Sequence, residues 1–318
     1  MTAPDDCAER LSTNNRSPFP PWRVMAPSVQ TAPVVFASPH SGRDYPPEFV
    51  AASKLNMLKL RRSEDAFMDE IFAAAPDWGA PLLCAQFPRA YVDANREAFE
   101  LDPDMFADPL PDYVNTTSPR ISAGLGTIAK VVTDGEAIYA EPLRFEEARW
   151  RIETLHRPYH KALKGLIEAT EKRFGGCLVI DCHSMPSGVS GGVSSGVSSD
   201  VSSDGGPQAG KNGNGVDVVL GDCFGTACAA TVTDTAEQAF EAMGLTVVRN
   251  KPYAGGFTTR HYGRPEQGIH ALQIEINRSL YMDEERVRRG AGLPGLIRRM
   301  GRLMRDLAGI DPAILKAA

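Results

Sequence analysis

The pattern of an interior strand runs through Cys177-Leu178-Val179-Ile180-Asp181-Cys182-His183. Its first four residues are apolar, as in a parallel strand that is covered on both faces. A carboxylate, a thiol and an imidazole follow at the carboxyl end, where open α/β sheets place their ligands. The same form recurs where Val34-Val35-Phe36-Ala37-Ser38 leads into Pro39-His40-Ser41-Gly42. Neutral imidazole is the commonest metal ligand, so these two strands predict one metal site at the sheet edge.

The composition is that of an ordinary globular protein: 318 residues, 42% hydrophobic and 23% charged, with a net charge of -6. No basic block with interleaved aromatic residues occurs, which argues against nucleic acid as a partner. No apolar run of about 18 residues occurs, which argues against a membrane span. The first residues lack the apolar core of a signal peptide, and the six cysteines are scattered. We therefore expect a cytoplasmic protein without a disulfide framework.

Strand-like runs alternate with helical patterns along the chain. Strands are predicted at 33–38, 82–86, 177–182, 216–220, 245–249 and 271–276, and helices at 63–75, 143–174, 227–243 and 297–307. The helix over 63–75 is expected to open at Ser63, with two acids in its first turn. The helix over 143–174 is expected to be interrupted near Pro158. The alternation predicts a single α/β domain with a mixed, mainly parallel sheet flanked by helices.

Two segments lack the pattern of packed structure. Residues 1–30 are rich in Pro, Asn and Ser, which predicts a loose N-terminal arm ahead of a folded domain over 31–310. From Gly188 a Gly-Val-Ser unit repeats, so 187–215 is expected to be a flexible Gly/Ser-rich loop. The repeat contains G-x-S-x-G matches, but a nucleophile elbow needs a strand before the serine and a helix after it. We therefore do not predict a serine hydrolase.

A carboxylate is the expected third ligand of the metal site. Glu64 and Asp65 are the candidates, and either could supply an oxygen to a cation held by His40 and His183. The alternative is that both are simply acids in the first turn of a helix. Two histidines and one carboxylate leave a fourth coordination position open, which is the pattern of catalytic zinc.

A second pair of histidines, His156 and His160, has the i, i+4 spacing that can bind zinc on a helix. No glutamate follows His156, however, so the pattern is not H-E-x-x-H. The role of His160 stays open: it is a candidate for a group behind the metal ligands or a substrate contact, with a purely structural histidine as the alternative.

Two further motifs carry polar groups suited to a substrate. Asn95 and Arg96 end a strand-like stretch, and the guanidinium fork can grip a carboxylate with two hydrogen bonds. The alternative for Arg96 is an ion pair with a nearby glutamate. Glu275 lies between two isoleucines, where burial would raise its pKa towards that of a general base at neutral pH. The alternative is a structural pair with Arg278 or Arg260.

Together these motifs resemble the N-formylglutamate amidohydrolase family. The resemblance rests on Ser38-Pro39-His40-Ser41-Gly42, Asp93-Ala94-Asn95-Arg96, Asp181-Cys182-His183-Ser184-Met185-Pro186 and Gln273-Ile274-Glu275-Ile276-Asn277-Arg278. Gly255-Gly256-Phe257-Thr258 is also similar, and the motifs run in order across roughly residues 30–300. That family is similar in fold to zinc carboxypeptidases and aspartoacylases. The resemblance therefore implies a zinc-carboxypeptidase-like fold over the predicted domain.

The resemblance also implies roles for residues at matching positions. His40, Asp65 and His183 would bind Zn²⁺, with Glu64 kept as the alternative to Asp65. Glu275 matches the catalytic glutamate of the family, which acts as the base. Zinc is thus the implied cofactor.

The implied substrate is a small N-acyl amino acid. Asn95 and Arg96 match the pair that binds its carboxylate, and Arg260 is a candidate for its second carboxylate or for stabilising the oxyanion. The implied reaction is hydrolysis of N-formyl-L-glutamate to glutamate and formate, a step of histidine catabolism. The sequence Ser63-Glu64-Asp65 and the 187–215 loop depart from the family pattern, which leaves another N-acyl amino acid open. A zinc amidase or peptidase of the same fold and a non-catalytic binder of an acidic metabolite are the alternatives.

Overall fold

The computed structural model describes residues 19–132, 135–188 and 215–316. Seven strands form the central sheet: β1 (Trp22–Met25), β2 (Val34–Ser38), β3 (Leu82–Ala85), β4 (Cys177–Met185), β5 (Val218–Gly221), β6 (Val247–Arg249) and β7 (Ile269–Asn277). Two short strands, β8 (Met282–Asp283) and β9 (Arg288–Arg289), pair with each other beside it. The six strands expected from the sequence are all present, so those predictions are confirmed.

Helices occupy the connections between the strands. The α-helices are α1 (Pro47–Ala52), α2 (Met57–Arg61), α3 (Met68–Ile71), α4 (Pro119–Ser122), α5 (Phe145–Arg151), α6 (Arg157–Phe174), α7 (Ala230–Ala242), α8 (Phe257–Tyr262) and α9 (Leu293–Ala308). A π-helical turn, Ile152–His156, joins α5 to α6. Short 3₁₀ turns lie at Ala75–Trp78, Pro103–Met105, Pro265–Gln267, Arg278–Leu280 and Pro312–Leu315. None of the helices in the described ranges is long and apolar enough to cross a bilayer.

The strand order is β1-β3-β2-β4-β7-β5-β6. Strands β3, β2, β4 and β7 are parallel, whereas β1 is antiparallel to β3 and β5 is antiparallel to β7. The predicted single α/β domain with a mixed, mainly parallel sheet is therefore confirmed. Because β2, β4 and β7 are parallel neighbours, their carboxyl ends meet at one edge, and His183 is directly paired with Glu275 across β4 and β7.

The apolar core has two layers, one on each face of the sheet. Along β4, Leu178 and Ile180 contact one layer, whereas Cys177 and Val179 contact the other. This alternation follows from the two-residue period of a strand, and it explains why strands covered on both faces read as continuous apolar runs. Helices α7 and α9 cover the first face, and α6 covers the second. The odd-numbered residues of β4 and β7 therefore point to the α6 side.

The helix predicted over 63–75 does not form as a single helix. Helix α2 ends before it, at Arg61, and α3 begins only at Met68, after Phe67 with φ of 68°. Between them, the backbone N–H of Asp65 donates to the carbonyl of His40 at 3.0 Å. This tertiary contact opposes the local N-cap signal, because it draws Asp65 into a loop at the end of β2.

The predicted interruption near Pro158 takes the form of a π turn rather than a break. Pro158 has no backbone N–H, and the helix changes its hydrogen-bond pattern in the turn just before it. The helix then continues to Phe174, where Gly175 adopts the left-handed conformation.

The segment assigned to the loose arm contains strand β1, which pairs with β3 over Trp22–Met25. That part of the arm prediction is wrong, because the short strand finds hydrogen-bond partners on the sheet edge. Residues 1–18 of the arm and residues 189–214 of the predicted loop lie outside the described residues. The described cysteines are free thiols, at positions 84, 177, 182, 223 and 228.

Candidate metal centre and active site

The two histidines at the ends of β2 and β4 converge. The ring centroids of His40 and His183 are 4.7 Å apart, and both side chains are almost completely buried. Asp65 lies between them: its Oδ2 is 3.3 Å from Nδ1 of His40 and 3.0 Å from Nδ1 of His183. The structure thus brings together three side chains that come from separate parts of the chain.

Hydrogen bonds to the other carboxylate oxygen of Asp65 hold the side chain in this position. Its Oδ1 accepts hydrogen bonds from Nη2 of Arg278 at 2.9 Å and from the Ser184 hydroxyl at 3.2 Å. Burial alone would raise the pKa of Asp65, but the hydrogen bonds to His183 and His40 hold it well below its usual range. Asp65 is therefore a carboxylate with Oδ2 directed at the two imidazoles.

Glu64, the alternative ligand, points elsewhere. Its Oε1 accepts hydrogen bonds from the Tyr45 hydroxyl at 2.9 Å and from Nε of Arg61 at 3.0 Å. Burial raises the pKa of Glu64, partly offset by the Arg61 guanidinium. The structure thus places Asp65, and not Glu64, with the two histidines.

A carboxylate lies beside Nε2 of each imidazole, on the side of the ring away from Asp65. Nε2 of His40 is 2.7 Å from Oδ1 of Asp93, and Nε2 of His183 is 3.0 Å from Oδ2 of Asp181. Burial would lower the pKa of His183, but the Asp181 carboxylate raises it well above the usual value. Metal-binding histidines usually donate their other N–H to a carboxylate or carbonyl, which fixes the ring and its tautomer. Both rings are arranged in this way, with Nδ1 facing inward.

The residues present fit a divalent cation. His40, Asp65 and His183 offer donor atoms that all lie within 4.8 Å of one another. Tetrahedral ligands at the usual zinc bond lengths stand about 3.3 Å apart, close to the two distances from Asp65 to the imidazoles. This buried group could hold a metal, as expected from the sequence.

The carboxylates behind the imidazoles were not assigned a role from the sequence, although both belong to recognised motifs. Asp181 could have been found from its spacing, because residues i and i+2 of a strand share a face, and it precedes His183 by two. Asp93 gives no such signal, because it reaches His40 from a loop. Arg89 donates to Asp93 through Nε at 3.1 Å, and it was also missed.

Glu275 lies on β7 beside His183 and faces the same side of the sheet. Its Oε1 accepts a hydrogen bond from Nε2 of Gln273 at 2.8 Å, and the residue is 7% exposed. Burial raises the pKa of Glu275 to about 7. The alternative pairings are absent from the described structure, since Arg278 binds Asp65 and Arg260 donates to the carbonyl of Gly255 at 3.0 Å.

Asn95 and Arg96 are both buried beside the histidines. Nδ2 of Asn95 is 3.0 Å from Nε2 of His183 and 3.2 Å from Oδ2 of Asp181. Arg96 donates through Nε to the carbonyl of Leu125 at 2.8 Å and through Nη1 to its neighbour's carbonyl at 2.9 Å. Because Nδ2 can only donate, its hydrogen bond goes to Asp181, the carboxylate beside His183, a contact that the sequence did not indicate.

A cavity of about 1310 Å³ opens onto these groups. Its lining includes His40, His183 and Glu275, and five arginines, Arg89, Arg96, Arg120, Arg260 and Arg278. Within the described ranges Arg120 and Arg260 have no carboxylate partner. Burial and the neighbouring charge of Arg260 lower the pKa of Arg120. A cavity that opens onto a buried His-Asp-His group, with Arg120 and Arg260 free to bind a carboxylate, favours a small anionic ligand.

His156 and His160 are not part of the metal group. Both Nε2 atoms face backbone carbonyls, at 2.9 Å from the oxygen of Arg96 and 2.8 Å from that of Ala94. The i, i+4 spacing therefore serves contacts to the Asn95 segment. Among the described residues, the His160 ring hydrogen-bonds to Ala94 and Tyr262, and neither is one of the three metal-site residues.

Comparison with known proteins gives a consistent result. The family model for N-formylglutamate amidohydrolase matches residues 32–282. Among curated relatives, the N-formylglutamate deformylase of Pseudomonas putida is 28% identical, covering 79% of this chain and 82% of the relative. The enzyme of the same name from Pseudomonas aeruginosa is 29% identical, covering 80% of this chain and 83% of its own.

Solved structures agree with the family match. The N-formylglutamate amidohydrolase of Ralstonia eutropha JMP134 has a TM-score of 0.79 at 32% identity, covering 91% of this chain and 98% of its own. A gene product of Agrobacterium tumefaciens has a TM-score of 0.57 at 19% identity, and this match supports only a similar fold. Together with the buried His-Asp-His group, these matches identify the chain as a hydrolase that acts on a non-peptide C–N bond. The chain belongs to the N-formylglutamate amidohydrolase family.

Proposed function

We propose that this protein hydrolyses N-formyl-L-glutamate to glutamate and formate with one bound Zn²⁺. The observation that carries the proposal is the juxtaposition of the His40, Asp65 and His183 group with the buried Glu275 in one arginine-lined cavity. Relatives named N-formylglutamate deformylase support the choice of substrate.

His40, Asp65 and His183 are the proposed zinc ligands. Two imidazoles and one carboxylate with an open fourth position are the donor set of catalytic zinc sites. Zinc bound there supplies a Lewis acid that polarises the formyl carbonyl and acidifies the attacking water. The carboxylates of Asp93 and Asp181 keep Nδ1 of each ring free for the cation.

Glu275 is the proposed general base. Burial raises the pKa of Glu275 to about 7, close to neutral pH, which suits both proton uptake and proton release. It takes one proton from the attacking water as the C–O bond forms, and it returns that proton to the glutamate nitrogen as the C–N bond breaks. Gln273 orients the carboxylate by donating to Oε1.

The arginines are proposed to bind the charged parts of the substrate. Arg96 with Asn95 takes the α-carboxylate, and Arg260 takes the side-chain carboxylate, aided by Arg120 on the same cavity wall. Arg89, whose Nε is fixed by Asp93, has its guanidinium at the cavity and is our candidate for stabilising the charge that develops on the formyl oxygen. Correct placement of both carboxylates would hold the formyl carbon at the reacting position.

The proposed setting is the cytoplasm, with the reaction as a step of histidine catabolism. We propose that the catalytic domain spans the predicted range 31–310, with strand β1 paired to its sheet.

A substrate panel tests the proposal. The zinc-loaded protein is incubated with N-formyl-, N-acetyl- and N-succinyl-L-glutamate, and the acid released is measured against His183→Ala as the inactive reference. His270→Gln serves as the matched control, because His270 is buried but lies on β7 away from the cavity. We expect formate release from the first compound, lost in His183→Ala and after chelation. Preferred release of acetate or succinate would replace the proposed substrate.

A further inference from the structure

Three consecutive backbone carbonyls, those of Ala94, Asn95 and Arg96, accept hydrogen bonds from side chains. The carbonyl of Ala94 accepts from Nε2 of His160 at 2.8 Å, and that of Arg96 accepts from Nε2 of His156 at 2.9 Å. The carbonyl between them accepts from Nη1 of Arg96 at 2.9 Å. This segment belongs to no helix or strand, so side chains satisfy its polar backbone.

The tautomers of both histidines follow from these contacts. A carbonyl oxygen can only accept, so Nε2 of His156 and of His160 must carry the proton. Nδ1 of His160 is then an acceptor, and the Tyr262 hydroxyl lies 3.0 Å from it, in position to donate. Burial also lowers the pKa values of His156 and His160, to about 4 and about 3, so both rings are neutral donors at neutral pH.

The helix places the two donors side by side. His156 ends the π turn and His160 follows one turn later in α6, with their ring centroids 4.5 Å apart. Phe257 packs edge-on against His160 at 5.2 Å. Neither imidazole lines the cavity, so neither is in position to touch a substrate.

The Asn95 side chain is fixed at its other end by α8. Its Oδ1 accepts from the backbone N–H of Thr258 at 2.8 Å. A Cβ at Gly256 would come within 2.1 Å of Nδ2 of Asn95, so a larger residue there would displace the amide. The position of the Asn95 amide beside His183 thus depends on close packing against Gly256 on one side and on His156 and His160 on the other.

We infer that His156 and His160 are positioning residues for the Asn95 and Arg96 clamp. Their N–H groups hold the two carbonyls that flank Asn95, and this sets the direction of the amide and of the guanidinium toward the cavity. The inference rests on the proposed function in one respect, namely that Asn95 and Arg96 bind the substrate carboxylate. It assigns the helical histidine pair to substrate alignment rather than to metal binding.

Two variants of each histidine test the inference by steady-state kinetics. His156→Phe and His160→Phe keep a ring but remove the donor, whereas His156→Gln and His160→Gln keep an N–H donor. We expect each Phe variant to raise KM for N-formylglutamate about three- to tenfold, the range for one lost hydrogen bond, with kcat and zinc content nearly unchanged. The Gln variants should recover most of the loss. Unchanged KM in both Phe variants would overturn the inference.

Hydrogen exchange gives a readout that needs no substrate. Amide exchange in a peptide spanning residues 93–97 should accelerate in the Phe variants and stay at the wild-type rate in the Gln variants. His270→Phe, a buried histidine far from this segment, controls for general loosening and should not change exchange there. Unaltered exchange in both Phe variants refutes the positioning role. If the wild type releases no formate, the proposed function fails, and the exchange result alone decides the inference.

Discussion

Replacement of Glu275 by glutamine separates the chemistry of this carboxylate from its effect on folding. Glutamine has nearly the shape of the protonated acid, and its Oε1 can still accept the hydrogen bond that Gln273 donates at 2.8 Å. The variant therefore removes the base without opening a cavity. We expect zinc binding to persist, because none of the three proposed ligands is changed.

Two magnitudes can be given for this substitution, one for the loss in kcat and one for the change in folding stability. Loss of a positioned base typically lowers kcat by about 10²–10⁴-fold, or about 3–5 kcal/mol in activation free energy. The rise in the pKa of Glu275 from 4.5 to about 7 corresponds to about 3 kcal/mol. The folded metal-free protein binds this proton more tightly than the unfolded chain does. The loss of folding stability that comes from ionising Glu275 is therefore complete above pH 7. It disappears as pH falls below 4.5.

The assay combines turnover with urea unfolding of the chelator-treated protein. At pH 8 the glutamine variant should be more stable than the wild type by about 3 kcal/mol, and at pH 5 by only about 1 kcal/mol. Glu64→Gln is the matched control, since Glu64 is a buried glutamate that binds Tyr45 and Arg61, and it should keep near-wild-type turnover. Near-wild-type turnover in Glu275→Gln, or a stability difference that is the same at both pH values, would refute the reasoning.

Three further predictions follow from the geometry of the site. Asp93→Asn and Asp181→Asn should each lower zinc affinity about 10–100-fold in a chelator competition, because they remove the carboxylate behind an imidazole. Arg120→Gln and Arg260→Gln should each raise KM for N-formylglutamate about tenfold, with a smaller effect on N-formylmethionine, which lacks the second carboxylate. Zinc uptake should release protons at neutral pH, measured by titration calorimetry in two buffers, because the Asp181 carboxylate raises the pKa of His183 well above its usual value and so favours a proton that the cation must displace.

The zinc-affinity prediction has a control within the chain, and each of the three predictions has a result that would contradict it. Asp69→Asn should leave zinc affinity unchanged, because Asp69 is a buried aspartate whose carboxylate faces Arg23 and Arg43 instead of an imidazole. Equal losses of affinity in all three aspartate variants would contradict the role of the carboxylates. Equal rises in KM for both substrates would contradict a dicarboxylate subsite. Zinc uptake without proton release would mean that His183 is already neutral.

The strands and the positions of His40 and His183 at their ends could be predicted from the sequence because both signals are local. An apolar run that ends on a polar turn specifies an interior strand, and parallel neighbours bring their carboxyl ends to one edge. His40 and His183 then meet regardless of the details of the loops, and Glu275 faces them because of the two-residue period of β7. The resemblance of the motifs to one family added the roles that we propose for these residues.

The loops around the site depend instead on contacts between distant parts of the chain. Asp65 leaves the expected helix because Arg278 and Ser184, more than 100 residues away, hold its carboxylate, and no local pattern encodes those bonds. The same holds for Asp93 behind His40 and for the two helical histidines, whose zinc-like spacing serves the carbonyls beside Asn95. Side-chain periodicity and turn chemistry act over a few residues, whereas the choice of hydrogen-bond partner in a buried site is made only when the sheet and helices have packed.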